Sequence, residues 1–164
     1  MRFKFYLAAT GILLFATGCK SKIAMDYNDM IAKKEKSLEL SMNESEGKLK
    51  SYFSGFQYDS IASVSTFMES KIDSIVAEIK RTPAPKVKQG ENFKKAALQY
   101  FVYMKSIYTS YKDYGLQTTP EGRQVVAKTI IPEITGQEDK MIADLHEAQR
   151  IFAKDNGFKI RSSK

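Results

Sequence analysis

The side chains that could carry covalent or metal chemistry are few in this chain. Cys19 is the only cysteine and His146 the only histidine among 164 residues. Cys19 follows three small residues, and Arg2 and Lys4 precede an apolar run over residues 7–17. A basic start, a short apolar run and small residues before a cleavage point are the order of an export signal. The sequence therefore predicts that residues 1–18 are removed and that the sulfur of Cys19 is acylated.

The apolar run is too short to span a bilayer, which takes roughly 20 apolar residues. The small residues Thr17 and Gly18 before Cys19 resemble the lipobox of bacterial lipoproteins, whose cysteine receives a diacylglyceryl group and becomes the mature N-terminus. Ala16 stands where that family usually has leucine. The alternative is an ordinary signal peptidase site and a soluble secreted protein. The lipoprotein interpretation is favoured because the lone cysteine falls where the motif requires it.

His146 lacks the partners that histidine chemistry needs. Carboxylate di-metal bundles place a glutamate three residues before a histidine on each of two helices, and this chain has Ala143 at that position. The sequence contains no haem-attachment motif, no G-x-S-x-G elbow and no phosphate-binding G-x-x-x-x-G-K motif. We therefore expect no catalytic residue, no metal and no cofactor, and a protein that is not an enzyme. Export and interspersed acidic residues also argue against nucleic-acid binding.

Four apolar stripes with helical spacing predict the elements that would position any site. Gly55 ends the first helix, Pro83 and Pro85 follow the second, and Gly115 ends the third. Thr119 is expected to cap the fourth helix. The four stripes lie within residues 27–56, 61–79, 93–114 and 130–152.

The predicted fold is all-α, an antiparallel up-down-up-down four-helix bundle, because short connections join the first two and the last two helices. Its domain would cover residues 25–160, after an anchor and short tether at residues 19–24. Pro132 falls inside the fourth helix, so we expect a kink there, or a split after Ile131, with Gly136 adding weakness. The Pro132 ring would also leave the carbonyl of Lys128 without its usual donor.

The leader and architecture resemble small helical-bundle bacterial lipoproteins, some of them surface proteins. The resemblance is carried by Tyr27-Asn28-Asp29, by Tyr100-Phe101-x-Tyr103 and by the C-terminal stretch 149–158. It implies a location and a fold, and it supplies no catalytic residue. Lys20-Ser21-Lys22 lacks the aspartate that retains some lipoproteins at the inner membrane. We expect an outer-membrane protein that faces the periplasm or the cell surface.

Up-down topology would bring the chain termini and the loop between helices two and three to one end. Residues 20–36, 78–95 and 147–164 together hold 16 basic and seven acidic residues. A basic end beside a lipid anchor would face anionic headgroups, at on the order of 1 kcal/mol per nearby cation. The alternative is that solvated lysines merely lie near the chain ends. The candidate membrane-facing residues are Lys33, Lys34, Lys36, Lys86, Lys88, Lys94, Lys95, Lys154 and Arg161.

Five tyrosines crowd the third helix, and their rings could stack on a partner or ligand. Tyr103 lies off the packing stripe and Tyr108 flanks it, so these two, with Tyr111 and Pro132, are the candidate contact residues. One hypothesis is an anchored interaction module that binds an envelope or host protein, and it requires Tyr103 and Tyr108 on an open surface. The other is a small or glycan ligand held against the third helix near Pro132, and it requires Tyr103 and Tyr108 to line a concavity.

For the interaction module, the sequence also offers the acidic end of the bundle opposite the anchor. The residues concerned are Glu44, Glu46, Asp59, Glu121 and Arg123.

Overall fold

The computed structural model describes residues 13–160, and this part of the chain is a bundle of helices without strands. The predicted all-α class is therefore confirmed. The first three helices are long, and the fourth segment is divided. The elements are α1 (Leu13–Ser54), α2 (Tyr58–Arg81), α3 (Gly90–Leu116), α4 (Pro120–Val125), a π-helical turn (Val126–Ile130), α5 (Ile131–Thr135) and α6 (Glu138–Asp155).

The N-terminal predictions fall partly outside the described residues. Residues 1–12 of the expected leader, with Arg2 and Lys4, lie there. Cys19 is exposed and lies within α1. Residues 19–24, expected as a tether, continue α1 as helix, and Ala24 is already fully buried. None of the helices within residues 13–160 has an apolar stretch long enough for a membrane crossing.

The aliphatic stripe of α2 forms the centre of the core. Ile61, Met68, Ile72 and Ile79 have no solvent exposure, as expected for an apolar face repeating at three and four residues. The helix packs between α1 and α3. Gly115 near the end of α3 allows the close approach, because a Cβ there would lie 2.6 Å from the carbonyl oxygen of Tyr58.

The buried face of α3 is wider than the predicted stripe. Phe101, Tyr103 and Tyr108 are all less than 9% exposed, although the spacing had placed Tyr103 off the stripe. The physical reason is that α3 contacts α2 on one side and α5 and α6 on another. A helix with neighbours on two sides buries more than one stripe.

The fourth segment breaks later than the proline predicts. Pro132 lies in the first turn of α5, and the chain turns at Gly136 and Gln137 instead. The turn before Pro132 is π-helical, and the N–H of Ile131 donates to the carbonyl of Val126, five residues earlier. A widened turn accommodates a proline without reversing the chain. The split after Ile131, given as the alternative to a kink, does not occur, whereas the break at Gly136 agrees with the predicted weakness there.

The start of the fourth segment is as predicted. Thr119 has extended backbone, and its hydroxyl oxygen accepts a hydrogen bond from the N–H of Gly122 at 3.1 Å. Pro120 takes the first helical position, where its missing N–H costs nothing.

Candidate functional site

The basal end of the molecule, where α1 begins and α6 ends, is a tightly packed aromatic layer. The rings of Phe93 and Phe152 stack at 4.9 Å between centroids, and the Tyr27 ring meets them edge-on at 6.2 and 6.5 Å. The side-chain amide of Asn156 donates to the carbonyl of Lys88 at 2.8 Å, and Gln149 donates to Asn28 at 2.8 Å. The start of α1, the loop before α3 and the end of α6 thus meet at one end.

Two of the predicted membrane-facing lysines bind other groups of this protein. The ammonium group of Lys34 lies 2.5 Å from the Glu78 carboxylate. The Lys94 ammonium donates to the carbonyls of Lys80 and Thr82 at 3.1 and 2.7 Å, which closes the end of α2. Arg161 lies outside the described residues. The remaining six candidates are exposed and form no ion pair within residues 13–160: Lys33, Lys36, Lys86, Lys88, Lys95 and Lys154.

At the opposite end, the turn between α1 and α2 exposes an aromatic side chain. Phe56 is 69% exposed, although the helical spacing predicted it as the last member of the α1 stripe. The stripe ends earlier because α1 stops at Ser54 and Phe56 adopts a left-handed backbone with φ of 54°. That conformation costs about 1–3 kcal/mol in a residue other than glycine. The molecule thus holds a large apolar ring in water at a strained turn.

Phe56 belongs to a group of side chains that we call the distal tip: Phe56, Tyr58, Leu116 and Arg123. Leu116 is 61% exposed at the end of α3. The guanidinium of Arg123 lies 3.7 Å from the centroid of the Tyr58 ring, and the Tyr58 ring lies 5.9 Å from that of Tyr114. The Nε of Arg123 is buried and has no hydrogen-bond partner within residues 13–160. The tip therefore combines exposed apolar side chains with a guanidinium stacked on an aromatic ring.

An open groove of about 570 Å³ runs along the outside of α3 towards the start of α6. Tyr103 forms part of its wall, and the Tyr103 hydroxyl donates to the carbonyl of Ile134 at 3.1 Å. Tyr103 thus lines a concavity, but Tyr108, which the ligand hypothesis also requires there, does not line it. Tyr111 and Pro132 do not line this groove.

Tyr108 is not available to a partner on an open surface. Its side chain is 1% exposed, and burial raises the pKa of its phenol. Tyr103 is 7% exposed. The requirement that both tyrosines lie on an open surface is therefore wrong, and an interaction surface has to use other residues.

A small polar cluster lies where α1 faces α3 and α6. Burial raises the pKa of the Glu35 carboxyl, and the charge of His146 partly opposes that rise. Burial, with the nearby charge of Glu35, raises the pKa of Tyr100 to about 12. His146 itself is exposed. Across residues 13–160, no three His, Cys, Asp or Glu side chains are grouped as a metal ion would require.

Sequence reasoning missed the exposure of Phe56 because helical spacing placed it on the packing stripe of α1, and it missed the floor of the groove because spacing along one helix does not show which helices form a groove. Gly55 just before Phe56 was a usable signal, since a helix that ends at a glycine is followed by a turn. Comparison with protein-family models, with curated proteins and with solved structures finds no match to this chain.

Proposed function

We propose that this protein is a bacterial envelope lipoprotein that serves as a non-enzymatic interaction module. Acylated Cys19 would hold it in the bilayer of the outer membrane, facing the periplasm or the cell surface, after removal of residues 1–18. The domain would resemble small helical-bundle lipoproteins. Its distal tip would bind another envelope protein or a host protein.

The observation that carries this proposal is the exposed Phe56 in a strained turn. Strained backbone is concentrated at functional sites, where the surrounding structure holds it. Aromatic side chains, phenylalanine among them, and arginines are enriched in the cores of protein interfaces. Phe56 and Arg123 supply both types at one end of the molecule.

The distance from the anchor supports this orientation. Cys19 and Ser54 lie in one continuous helix, and at 1.5 Å per residue the separation is about 50 Å. Four exposed lysines of the basal end would lie nearest the anionic headgroups: Lys86, Lys88, Lys95 and Lys154. By contrast, Lys33 and Lys36 lie about 21 and 26 Å along α1 from Cys19. The tip would then point away from the membrane.

We also propose the up-down-up-down course for the chain, and the interhelical contacts support it. Lys34 meets Glu78 and Ser41 meets Lys71, so residue numbers rise along α1 as they fall along α2. Between α2 and α3, Lys105 meets Asp73 and Lys112 meets Glu69 in the same sense.

Photocrosslinking in living cells tests the tip. A photoreactive phenylalanine analogue replaces Phe56 in one strain and Phe67 in another. Phe67 is the matched control, because it is the same residue type, 54% exposed, on the outer face of α2. We expect a discrete protein adduct from position 56 only, and its loss in the Cys19→Ser variant. Equal adducts from both positions, or none from position 56 in correctly localised protein, would contradict the proposal.

A second candidate function is ligand binding against α3, and the groove lined by Tyr103 favours it. Titration with a soluble sugar such as maltose, followed through the NMR signals of Leu98 and Val102, tests its glycan form. Shifts that saturate would support it, and unchanged signals would count against a glycan.

A further inference from the structure

The groove along α3 has charged side chains at one end only. Glu91, Lys94 and Lys95 line the end at the start of α3. From Leu98 to Ser106, and across to α6, every other lining residue is neutral. The groove therefore has a charged head region and a long neutral remainder.

The cation available in the head region is Lys95. The ammonium group of Lys94 is already held by the carbonyls of Lys80 and Thr82. Lys95 is exposed and forms no ion pair in the described part of the chain. An anion bound at this end would be attracted by Lys95 and repelled by the carboxylate of Glu91 on the opposite side.

The floor of the neutral part is hydrocarbon. Val102 is 51% exposed, and Leu98 and Met141 line the groove beside it. The Tyr103 hydroxyl is occupied by the carbonyl of Ile134, so the ring of Tyr103 contributes carbon surface. An apolar floor with polar side chains at its rim is typical of a binding groove.

The dimensions suit one extended hydrocarbon chain. From Glu91 to Ser106 the groove follows α3 for about 22 Å at 1.5 Å per residue. One leaflet of a bilayer is about 15 Å of hydrocarbon, half of the core thickness, and an acyl chain spans it. The groove accommodates such a chain together with its headgroup.

We propose that this groove binds a single-chain anionic amphiphile, with a fatty-acid carboxylate at Lys95 and its chain over Leu98 and Val102 towards Met141. The inference rests on the second candidate function, for which it names the ligand class, and it is independent of the distal tip. The head region lies at the basal end, the end that holds Cys19. A lipid leaving the adjacent leaflet would reach the groove from there.

Calorimetric titration tests the proposal with the full chain carrying Cys19→Ser, which cannot be acylated at that position. The probe is dodecanoate below its micellar concentration. We expect one saturable site with a dissociation constant on the order of 100 μM. Val102→Asp should weaken binding by about tenfold, because it places a charge on the apolar floor. The matched control is Val125→Asp, at a valine 57% exposed outside the groove, and it should change binding by less than about twofold.

The headgroup is tested separately. Lys95→Gln should weaken dodecanoate binding about two- to fivefold and leave dodecyl maltoside, which has the same chain and a neutral head, unchanged. Lys86→Gln, an exposed lysine of the basal end outside the groove, is the control. A diazirine-labelled fatty acid should crosslink to residues 98–106, a readout that does not depend on any variant folding.

Three results would overturn the proposal. These are no saturable binding of dodecanoate, equal binding by Val102→Asp and Val125→Asp, and crosslinks outside the groove. Binding of maltose without dodecanoate would also overturn it, but would leave the second candidate function standing in its glycan form. Failure of all these ligands would remove that candidate and leave the tip proposal unaffected.

Discussion

The basal and distal halves of this bundle use aromatic side chains in different ways. In the basal half, α1, α3 and α6 meet around Phe93 and Phe152, which are 1% and 0% exposed. In the distal half, the fourth segment is broken into α4, a π-helical turn and α5, which pack mainly against α3. The rings there include the exposed Phe56 and several half-buried side chains, with Tyr114 lying 5.1 Å from Phe53.

We infer from this difference that the basal half provides stability and the distal half provides a surface for recognition. Fully buried rings stabilise a closed core through apolar contacts, whereas aromatic side chains and arginines that reach the surface are available to a partner. Segments with few buried contacts also open at lower free energy, and binding elements are drawn from them. We therefore expect the basal half to set global stability and the distal half to tolerate change.

The largest expected effect comes from emptying the basal core. Phe152→Ala should lower the free energy of unfolding by about 3–5 kcal/mol, because it removes a fully buried ring and leaves a cavity. Phe53→Ala in the distal half should cost only about 1–2 kcal/mol, since that side chain is half-buried. Urea unfolding followed by circular dichroism measures both. Equal losses would show that the two halves contribute alike, contrary to the comparison.

The second-largest effect on the free energy of unfolding is expected at Pro132 in the distal half. Pro132→Ala restores the missing N–H, so the π-helical turn should shorten to ordinary helix and gain about 1 kcal/mol. Hydrogen exchange should slow about fivefold in residues 120–135 and stay unchanged in residues 138–155. Pro120→Ala is the matched control, because proline is already favoured in the first helical position. An equal gain from Pro120→Ala, or none from Pro132→Ala, would count against this explanation.

The two halves also differ in how far the sequence predicted them. Regular spacing over Ile61 to Ile79 predicted the α2 core face, and Thr119 with Pro120 predicted the start of the fourth segment. Both depend on interactions within one helix. The burial of Tyr103 and Tyr108 depends on which helices lie on either side of α3, and spacing along one helix does not contain that information.

The candidate sites were predictable to a smaller extent. Pro132 correctly marked an irregular region. A π-helical turn accommodates the proline, however, and the helix is interrupted at Gly136 instead. We attribute the position of the interruption to packing against α3. Phe56 continued the spacing of the α1 stripe, and only the left-handed backbone at that residue turned it outwards. Local sequence pattern does not predict sites that depend on one dihedral angle or on a neighbouring helix.

The smallest expected effect lies at the boundary between the halves. Glu35 is two turns beyond Asn28, the α1 residue that contacts Gln149 of α6. Its pKa is raised from 4.5 by burial, so the folded protein holds this proton more tightly than the unfolded chain does. Its stabilising contribution is full below pH 4.5 and is lost as the pH rises through the folded pKa. Glu35→Gln should therefore stabilise the protein at pH 7, by less than about 1 kcal/mol.

The stabilisation by Glu35→Gln should disappear at pH 4, where the Glu35 carboxyl is protonated in both the folded and the unfolded state. Three other titratable groups act around this position: Glu39 on the same helix, Tyr100 on α3 and His146 on α6. The charge of His146 lowers the Glu35 pKa, so His146→Gln should raise that pKa further. The stabilisation that Glu35→Gln gives at pH 7 should then be larger in the His146→Gln background. Glu39→Gln, one turn away and exposed, is the matched control for loss of a negative charge. Thermal unfolding at pH 4 and pH 7 measures the parent protein, the three single variants and the double variant Glu35→Gln/His146→Gln. An equal gain at both pH values would mean that Glu35 is not buried at the boundary, and that α1 separates from α6 closer to the basal end.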